Sequence, residues 1–348
     1  MAQKTNDTID HVLAGRSLSI KEAEKLFTAA LNRLVTPKAM REALIMMNEK
    51  GETPEEIVGA YQAVRDYDQQ AKHDLKKPCT VTGKRFIDVC GTGGDQLGTF
   101  NISTTVAFVV AASGLPVAKH GNRAVSSVCG SSDVLLKLGV DITIPPSQMR
   151  SIFDEIGFAY LHAPLYHPSF KVIAPIREGI KRRTIFNLLG PLLNPYDAPY
   201  QVMGVYSENM IPTYANVLKQ LKRKCAVVVH GDDGLDEASV TTSSRLTYIQ
   251  NKKISTKKIS ISKLPFKRGK VATLKGGNNA KNAQIFTDVL QGNCKDARAD
   301  IVALNAAIAL QTGGACSSLR QGINLAKYTL ETGAGYRLFE KFRKLTLL

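Results

Sequence analysis

The stretch Phe86–Asp95, which reads FIDVCGTGGD, decides the fold class of this chain. Its first five residues are apolar except for Asp88, as expected of a buried strand. Three glycines in the next four positions permit a tight turn in which successive N–H groups point at an anion. The spacing differs from the GxGxxG pattern of dinucleotide-binding loops. A strand that ends in such a loop indicates an α/β protein, although a simple tight turn also explains the glycines.

The alternation of strands and helices continues beyond this loop. It predicts an α/β fold with a largely parallel central sheet flanked by helices. In such sheets, ligands bind beyond the carboxyl ends of the strands. We expect strands at 86–90, 115–118, 140–144, 158–161, 201–206 and 225–230, and helices at 106–112 and 132–138.

The N-terminal residues have a different pattern, that of short helices with defined start signals. Ser19 and Glu22 form a capping box before an apolar run, and Thr53 and Glu56 form a second one. Thr36 precedes a proline at the first position of another helix. These signals predict a small helical unit without catalytic motifs.

A proline-rich stretch between residues 164 and 195 interrupts the alternation and carries a basic cluster. We interpret it as a return of the chain to the helical unit, which places a basic residue over the edge of the sheet. The predicted domains are a small all-helical domain, residues 1–76 plus about 164–192, and a large α/β domain, residues 77–163 plus 193–348.

The composition is that of a globular protein with a sizeable core. Of the 348 residues, 44% are hydrophobic, and no run approaches the roughly 18 apolar residues of a membrane span. The first residues lack the apolar run of a secretory signal. The six cysteines are scattered, without the spacing of a zinc site or a disulfide framework. We therefore expect a cytoplasmic protein with reduced thiols and no membrane partner.

The charge is the unusual bulk property. The net charge of +16 is unevenly distributed, because no acidic residue occurs between Glu237 and Asp288 while residues 245–281 form a basic window. One interpretation of the window is a solvated lysine-rich face. The other is a surface that binds nucleic acid through its phosphates, although only Tyr248 and Phe266 offer rings for stacking there.

Two further polar motifs accompany the predicted elements. Asn101–Thr105, NISTT, begins an apolar helix, where its hydroxyls either cap the helix or leave N–H groups and the helix dipole for a phosphate. The hydroxyl of Ser103 is also a suitable ligand for magnesium. Lys119–Arg123, KHGNR, follows a predicted strand and places two cations, a histidine and an amide around a glycine. Lys119 and Arg123 suit phosphate oxygens, and a surface turn is the alternative.

The acidic motif Gly231–Glu237, GDDGLDE, follows the apolar strand predicted at 225–230. Carboxylates this dense repel one another unless water or a metal neutralises them. Magnesium on a pyrophosphate typically takes one or two protein carboxylates, and Asp236 and Glu237 are the candidates here. A solvated acidic turn is the alternative, and the ligand spacing of an EF-hand is absent.

Together these motifs resemble the anthranilate phosphoribosyltransferase family over nearly the whole chain. The resemblance rests on GTGGD at 91–95, NIST at 101–104, KHGNRAVSS at 119–127, GSSD at 130–133, HAPLYHP at 162–168, RTIFNLLGPLLNP at 183–195 and HGDDGLDE at 230–237. It implies transfer of the phosphoribosyl group of 5-phosphoribosyl 1-pyrophosphate (PRPP) to the amine of anthranilate, in tryptophan biosynthesis. It also implies a homodimer formed through the helical domain, and Mg²⁺ as cofactor with two ions per subunit.

The resemblance further implies the site residues, carried over by matching position. The catalytic residues are then Lys119, His120 and Arg177. Anthranilate is expected at Gly91, His120, Asn122 and Arg177, with Arg177 opposite its carboxylate. Magnesium is expected at Ser103, Asp236 and Glu237. PRPP is expected at Gly91, Gly94, Asp95, Thr99, Asn101, Ile102, Ser103, Thr104, Lys119, Asn122, Arg123, Ser127 and Ser131.

The chain departs from the family pattern in two places. Lys181 and Arg182 stand where the family usually has a glycine and an aliphatic residue, which bears on the helix geometry around Arg177. Asn279 and Lys281 replace acids that are common in the family and extend the basic window.

Three other protein classes are weighed against this one. The main alternative is a nucleic-acid-binding protein that keeps the fold without the activity; the net charge of +16 favours it, but the retained Lys119–Arg123, Arg177 and acidic pair do not. A pyrimidine nucleoside phosphorylase resembles the family in fold, but the paired metal carboxylates argue against it. Rossmann-like phosphoribosyltransferases have paired acids directly after a strand, whereas His230 and Gly231 intervene here.

Overall fold

The computed structural model describes residues 2–70, 81, 83–123 and 128–348, with side chains from Asp7 onward. The chain divides into two compact units. The helical unit comprises Met1–Pro78 and Pro164–Leu193, and the α/β unit comprises Cys79–Ala163 and Asn194–Leu348.

The α-helices and 3₁₀ helices follow in chain order. The α-helices are α1 (Ala2–Leu13), α2 (Ile20–Leu31), α3 (Pro37–Lys50), α4 (Pro54–Gln70), α5 (Ile102–Ala112), α6 (Ser131–Lys137), α7 (Pro146–Ile156), α8 (Ala163–Tyr166), α9 (Pro168–Arg177), α10 (Ile185–Leu189), α11 (Ile211–Gln220), α12 (Asn279–Leu290), α13 (Ala297–Thr312), α14 (Leu319–Glu331) and α15 (Ala334–Thr346). The 3₁₀ helices are Gly190–Leu192, Glu208–Met210, Ile261–Lys263 and Val271–Leu274.

The start signals in the helical unit act as the sequence predicts. The Ser19 hydroxyl accepts the N–H of Glu22, whose carboxylate accepts the N–H of Ser19 at 2.9 Å, so the first capping box is confirmed. Thr53 and Glu56 exchange the same two bonds at the start of α4, and Thr36 caps α3 before its proline. Each cap satisfies N–H groups that the first helical turn leaves open.

A buried hydrogen bond between two side chains ties the two sequence segments of the helical unit together. Nδ1 of His167 lies 2.7 Å from Oδ2 of Asp68, and both side chains are almost inaccessible to solvent. The other oxygen of Asp68 accepts the N–H of Ser169 in the first turn of α9. This pair anchors α9, which ends at Arg177, on α4.

The α/β unit is built on one seven-stranded sheet with the order β3-β2-β1-β4-β5-β6-β7. The first five strands in this order are parallel, and β6 and β7 are antiparallel to their neighbours. The prediction of a largely parallel sheet is therefore confirmed. The strands are β1 (Ile87–Gly91), β2 (Val117–Gly121), β3 (Phe158–His162), β4 (Tyr200–Gly204), β5 (Cys225–Gly231), β6 (Ser244–Gln250) and β7 (Lys253–Ile259).

The strand predicted at 140–144 is wrong. Val140, Ile142 and Ile144 are buried alternately, as the pattern suggested, but residues 140–144 form a turn. The carboxylate of Asp141 accepts the N–H of Thr143 at 2.7 Å and its hydroxyl at 2.6 Å, which bends the chain before a ladder forms. The alternation of apolar residues in the sequence therefore predicted which side chains are buried, but not that the segment forms a strand.

Helix α5 lies in the apolar core of the α/β unit. Phe108 on α5 stacks on Phe158 of β3, with ring centroids 4.0 Å apart, and meets Phe286 and Phe339 edge-on. Because α5 follows β1 directly, its N-terminus faces the carboxyl end of the sheet. Among the described helices, none combines the length and apolar character that crossing a bilayer requires.

Candidate active site

The loops after β1 and β5 meet at the carboxyl edge of the sheet because two glycines allow them to. A Cβ on Gly91 would lie 2.2 Å from Oδ2 of Asp236, and one on Gly204 would lie 1.5 Å from the main-chain oxygen of Asp236. The N–H of Gly93 donates to the same Oδ2 at 2.8 Å. The Asp236 carboxylate is thus held against the glycine loop, in a position that no larger residue at 91 or 204 permits.

Three carboxylates form a cluster at this point. One oxygen from each of Asp95, Asp236 and Glu237 lies within 4.8 Å of the others. Burial and then the Asp236 charge raise the pKa of Asp95 to about 6, and the same two causes raise the pKa of Glu237 well above its usual range. Oε2 of Glu237 is buried and meets no hydrogen-bond partner among the described residues. Such a cluster favours either bound protons or a cation.

Ser103 lies beside this cluster. With Asp236 and Glu237, it lines a cavity of about 20 Å³ between the sheet and α5. The structure therefore brings together the three residues predicted to bind magnesium. It also adds Asp95, which the sequence assigned to PRPP, to the same carboxylate cluster.

The N-terminus of α5 is open toward the site. Asn101 occupies the N-cap position but makes no capping hydrogen bond, so the N–H groups of Ser103 and Thr104 have no such partner. The hydroxyl of Thr104 donates to that of Ser131 at 3.1 Å, which brings the start of α6 alongside. The Ile102 side chain is buried in the core, and its N–H donates to the carbonyl oxygen of Phe100.

Lys119 and His120 lie within β2 and not after it, which corrects the boundary inferred from the sequence. The Lys119 side chain is only 2% exposed, and Nζ donates to the Val89 carbonyl at 2.9 Å and to the Ser103 hydroxyl at 3.2 Å. Burial lowers its pKa, and the charge of Asp88 acts in the opposite direction. The ammonium group is therefore positioned between the sheet and the first turn of α5.

The remaining predicted residues of the KHGNR motif follow β2. Oδ1 of Asn122 accepts the N–H of Arg123 at 2.8 Å, and the Asn122 carbonyl accepts the N–H of Ser132 in α6. Both Asn122 and Arg123 are exposed. Thr99 pairs with Lys275 in an isolated bridge. Ser127 lies outside the described residues.

Arg177 ends α9 in the helical unit. Its guanidinium group donates to Oδ1 of Asn187 at 3.1 Å and lies 5.9 Å from the ring centroid of Phe186. It faces an open cavity of about 540 Å³, which Phe170 and Arg182 also line. An arginine beside an aromatic ring and an open cavity is suited to binding a planar carboxylate.

Sequence reasoning missed two residues that shape the site. Gly204 is required by the position of Asp236, but a glycine at the end of a strand carried no specific signal. Asn305 on α13 accepts the N–H of Ala238 at 2.8 Å and donates to its carbonyl at 2.9 Å, which fixes the chain directly after Glu237. Nothing in the local sequence connects residues this far apart.

The basic window includes the exposed edge strand β7. Lys258 pairs with Asp232 at 2.7 Å. Nζ of Lys257 lies 6.0 Å from the ring centroid of Tyr248, and Nζ of Lys327 lies 4.5 Å from that of Phe266. The two rings considered for base stacking thus already contact lysines of this chain. Nucleic-acid binding through the window stays an untested alternative to a solvated lysine-rich face.

Comparison with known proteins gives consistent matches along the chain. The model of the glycosyl transferase family a/b domain matches residues 83–336, and that of the family's helical bundle domain matches residues 6–67. The anthranilate phosphoribosyltransferase of Persephonella marina is 40% identical over 336 residues, which are 97% of each chain. That of Moorella thermoacetica is 42% identical over 326 residues, which are 94% of each chain.

Two solved structures share the fold. The crystal structure of anthranilate phosphoribosyltransferase from Thermus thermophilus superimposes with a TM-score of 0.90 at 34% identity, over 98% of this chain and 100% of that one. The Saccharomyces cerevisiae enzyme in complex with PRPP and Mg superimposes with a TM-score of 0.86 at 24% identity, over 99% of this chain and 98% of that one. The second likeness shows the fold alone.

Proposed function

The chain belongs to the anthranilate phosphoribosyltransferase family, and from this premise we propose that it transfers the phosphoribosyl group of PRPP to the amine of anthranilate. The products are N-(5-phosphoribosyl)anthranilate and pyrophosphate, in tryptophan biosynthesis. The observation that carries the proposal is the convergence of the glycine loop, the open N-terminus of α5, Lys119 and three carboxylates at one sheet edge.

The residues present fit a hard divalent cation. Carboxylate oxygens within 4.8 Å of one another, and an unpartnered buried oxygen on Glu237, are a donor set suited to Mg²⁺. We infer that Ser103, Asp236 and Glu237 hold the metal, that Asp95 contributes from the glycine loop, and that two ions bind per subunit. When bound with PRPP, magnesium neutralises charge that develops on the departing pyrophosphate.

PRPP binding is assigned to the elements around α5. The free N–H groups of Ser103 and Thr104, together with the positive end of the helix dipole, suit a phosphate. The glycine loop from Gly91 to Asp95 allows close approach of the main chain to an anion. The proposed PRPP set is completed by Thr99, Asn101, Ile102, Lys119, Asn122, Arg123, Ser127 and Ser131.

Anthranilate is assigned to Gly91, His120, Asn122 and Arg177. A guanidinium group binds a carboxylate through two parallel hydrogen bonds, so Arg177 is the residue that selects the acid group of the acceptor. Partial burial lowers the pKa of Arg177, yet this side chain stays charged at any pH at which the enzyme works.

The chemistry needs no strong base on the protein. The aniline nitrogen of anthranilate is neutral at pH 7 and carries a lone pair for attack at C1 of the ribose. The barrier lies in the departure of pyrophosphate, with positive charge developing on the sugar. Lys119 and the α5 N–H groups stabilise the leaving charge through preorganised hydrogen bonds. Arg177 acts by positioning the acceptor, and His120 borders it.

We further propose that the protein is a cytoplasmic homodimer that associates through its helical unit. The helical unit exposes apolar side chains at Leu13, which is 37% exposed, and at Leu34, which is 63% exposed. The proposal rests on the resemblance to the family, which implies a homodimer formed through the helical domain, and the two exposed leucines are consistent with it.

The proposal is tested by the loss of anthranilate fluorescence with PRPP and Mg²⁺. Arg177→Ala is expected to raise the KM for anthranilate by about 10- to 100-fold. This factor corresponds to the free energy that hydrogen bonds to a charged group contribute to binding. Arg182→Ala is the matched control. Arg182 lines the same cavity, but it is exposed and its guanidinium group is already paired with Glu49. We expect it to change this KM by less than about twofold.

The outcomes separate the two candidate classes. An equal effect of both variants would show that general charge, and not the Arg177 guanidinium, binds the acceptor. No fluorescence loss by folded wild-type protein at any magnesium concentration rejects the proposed reaction. Salt-sensitive binding of duplex DNA by that inactive protein would instead favour the nucleic-acid alternative.

A further inference from the structure

Main-chain hydrogen bonds join the residues just before α5 to those just before α12. The N–H of Phe100 donates to the Leu274 carbonyl at 3.0 Å, and the N–H of Gly276 donates to the Gly98 carbonyl at 2.8 Å. The first turn of α12 is thereby fixed beside the N-cap of α5. This contact joins parts of the sequence that no motif connects.

A chain of side-chain amides runs through the contact. Asn282 on α12 is 2% exposed; its Oδ1 accepts the N–H of Gly277 at 2.8 Å, and its Nδ2 donates to Oδ1 of Asn101 at 3.0 Å. Nδ2 of Asn101 then donates to the Cys129 carbonyl at 3.1 Å. A Cβ on Gly276 would lie 2.5 Å from Oδ1 of Asn282, so the approach requires glycine there.

The chain of amides explains why Asn101 does not cap α5. An asparagine at the N-cap normally accepts the N–H of the second or third helical residue. Here Oδ1 of Asn101 is engaged by Asn282 and its Nδ2 by Cys129, and no capping bond forms. The N–H groups of Ser103 and Thr104 are left for a ligand.

We propose that Asn282 is a positioning residue for PRPP. By holding the Asn101 amide away from α5, it keeps the first-turn N–H groups open for a phosphate of PRPP. The proposal rests on the assignment of PRPP to this helix terminus. Without Asn282, the Asn101 side chain keeps only its contacts with Cys129, in which the thiol is a weak donor to Oδ1 at 3.6 Å. Its Oδ1 can then turn to cap the helix and compete with the phosphate for the same donors.

The test is the steady-state kinetics of Asn282→Ala. We expect the KM for PRPP to rise about tenfold, the factor that corresponds to one N-cap hydrogen bond. The turnover number and the KM for anthranilate are expected to change by less than about twofold, because Asn282 lies behind Asn101 and touches no reacting group. A purely structural defect would lower the turnover number or the amount of folded enzyme and would not produce this split.

The matched control is Asn278→Ala on the same helix. Asn278 caps α12 by accepting the N–H of Lys281 at 2.9 Å, so its loss weakens the start of α12 while the bond from Asn282 to Asn101 remains. An equal rise in the KM for PRPP in both variants would overturn the proposal in favour of a general helix effect. Asn282→Asp gives a second test if the alanine variant folds poorly, because it is isosteric but lacks the donor to Asn101.

A double-mutant cycle isolates the mechanism. In an Asn101→Ala background no side chain is left to cap α5, so Asn282→Ala is expected to have no further effect on the KM for PRPP. Additive effects of the two substitutions would refute the role of Asn101. If the wild-type enzyme shows no turnover, the proposed function is rejected. If the wild type is active and Asn282→Ala has the same KM for PRPP, only this inference is rejected.

Discussion

Replacing Asp88 by asparagine is expected to make stability depend differently on pH. Asp88 lies in β1 just before the glycine loop and is completely buried. Its carboxylate accepts the N–H of His120 at 3.4 Å and the side-chain amide of Gln201 at 3.5 Å. Burial raises the pKa of Asp88 from 3.8 to about 6, although hydrogen bonding by Asn194 and the charge of Lys119 act to lower it.

The magnitude follows from this pKa. Each tenfold change in proton affinity corresponds to ~1.4 kcal/mol, so the charged carboxylate costs the folded state about 3 kcal/mol. Because the pKa of Asp88 is raised on folding, the folded chain keeps the proton on Asp88 between about pH 4 and pH 6, where the unfolded chain has lost it. The stability of the wild type therefore falls as pH rises from about 4 to about 6, and the cost stays constant at higher pH.

Asp88→Asn removes the titration and keeps the shape. The asparagine places its NH2 group where one carboxylate oxygen accepted a hydrogen bond, so that two donors face each other. This lowers the free energy of unfolding by about 1–3 kcal/mol, and the loss does not vary with pH. Urea unfolding of both proteins between about pH 4 and pH 7.5 isolates the titrating part. We expect the variant to gain about 3 kcal/mol relative to the wild type over this range. A difference that is independent of pH would refute the reasoning.

Asp154→Asn is a control of opposite sign. Asp154 is partly exposed and pairs with Lys84 and Arg150, and these contacts outweigh the effect of burial and lower its pKa. Its stabilising contribution is therefore present at neutral pH and is lost as the pH falls through the lowered pKa. As the pH is lowered, the stability of Asp88→Asn relative to the wild type should therefore decrease, whereas that of Asp154→Asn should increase.

Three further predictions concern the proposed active site. Gly91→Ala should weaken magnesium-dependent activity by about tenfold or more, because a Cβ 2.2 Å from Oδ2 of Asp236 forces that carboxylate away; an unchanged magnesium titration of the rate would contradict this. Asp236→Asn should raise the melting temperature of the metal-free protein, since it removes a charge that raises the pKa of Glu237, and should abolish the stabilisation by Mg²⁺ in thermal scans. Lys119→Met should destabilise the metal-free fold, because it removes a cation that favours the charged form of the buried Asp88 and leaves the Val89 carbonyl without its lysine donor; it should also lower PRPP affinity on the order of a hundredfold in calorimetry, and equal PRPP affinity would exclude the proposed contact.

The fold could be predicted because its signals are local. Apolar strands that end in glycine or polar motifs recur along the chain, and parallel strands gather their carboxyl ends at one edge. The capping boxes at Ser19 and Thr53 formed because both partners lie within one helical turn. The hairpin of β6 and β7 was missed, because the lysines of β7 suggested a charged surface and because β7 is exposed along its length up to Ile259, so no alternation of burial marks it as a strand.

The site could be predicted only as far as its motifs extend. Asp236 and Glu237 stood out as acids after a buried strand, but the place of Asp95 beside them depends on how two distant loops meet. Asn101 stood out as part of the NISTT motif, but nothing in the sequence marks Asn282, 181 residues away, as its hydrogen-bond partner. The wrong strand at 140–144 shows the converse, since alternating burial was present but an Asp141 turn replaced the ladder.

The site combines charges that oppose folding with a function that needs them. Burial raises the pKa of Glu237 and of Asp95 and lowers that of Lys119, so each charged form is disfavoured in the protein alone. In the binding mode that we propose, a magnesium–PRPP complex supplies cations for the carboxylates and anions for the lysine and the α5 N–H groups. Ligand binding therefore removes the same electrostatic penalties that weaken the free protein, and by linkage it stabilises the fold. The strength of substrate binding and the instability of the empty site have one physical origin.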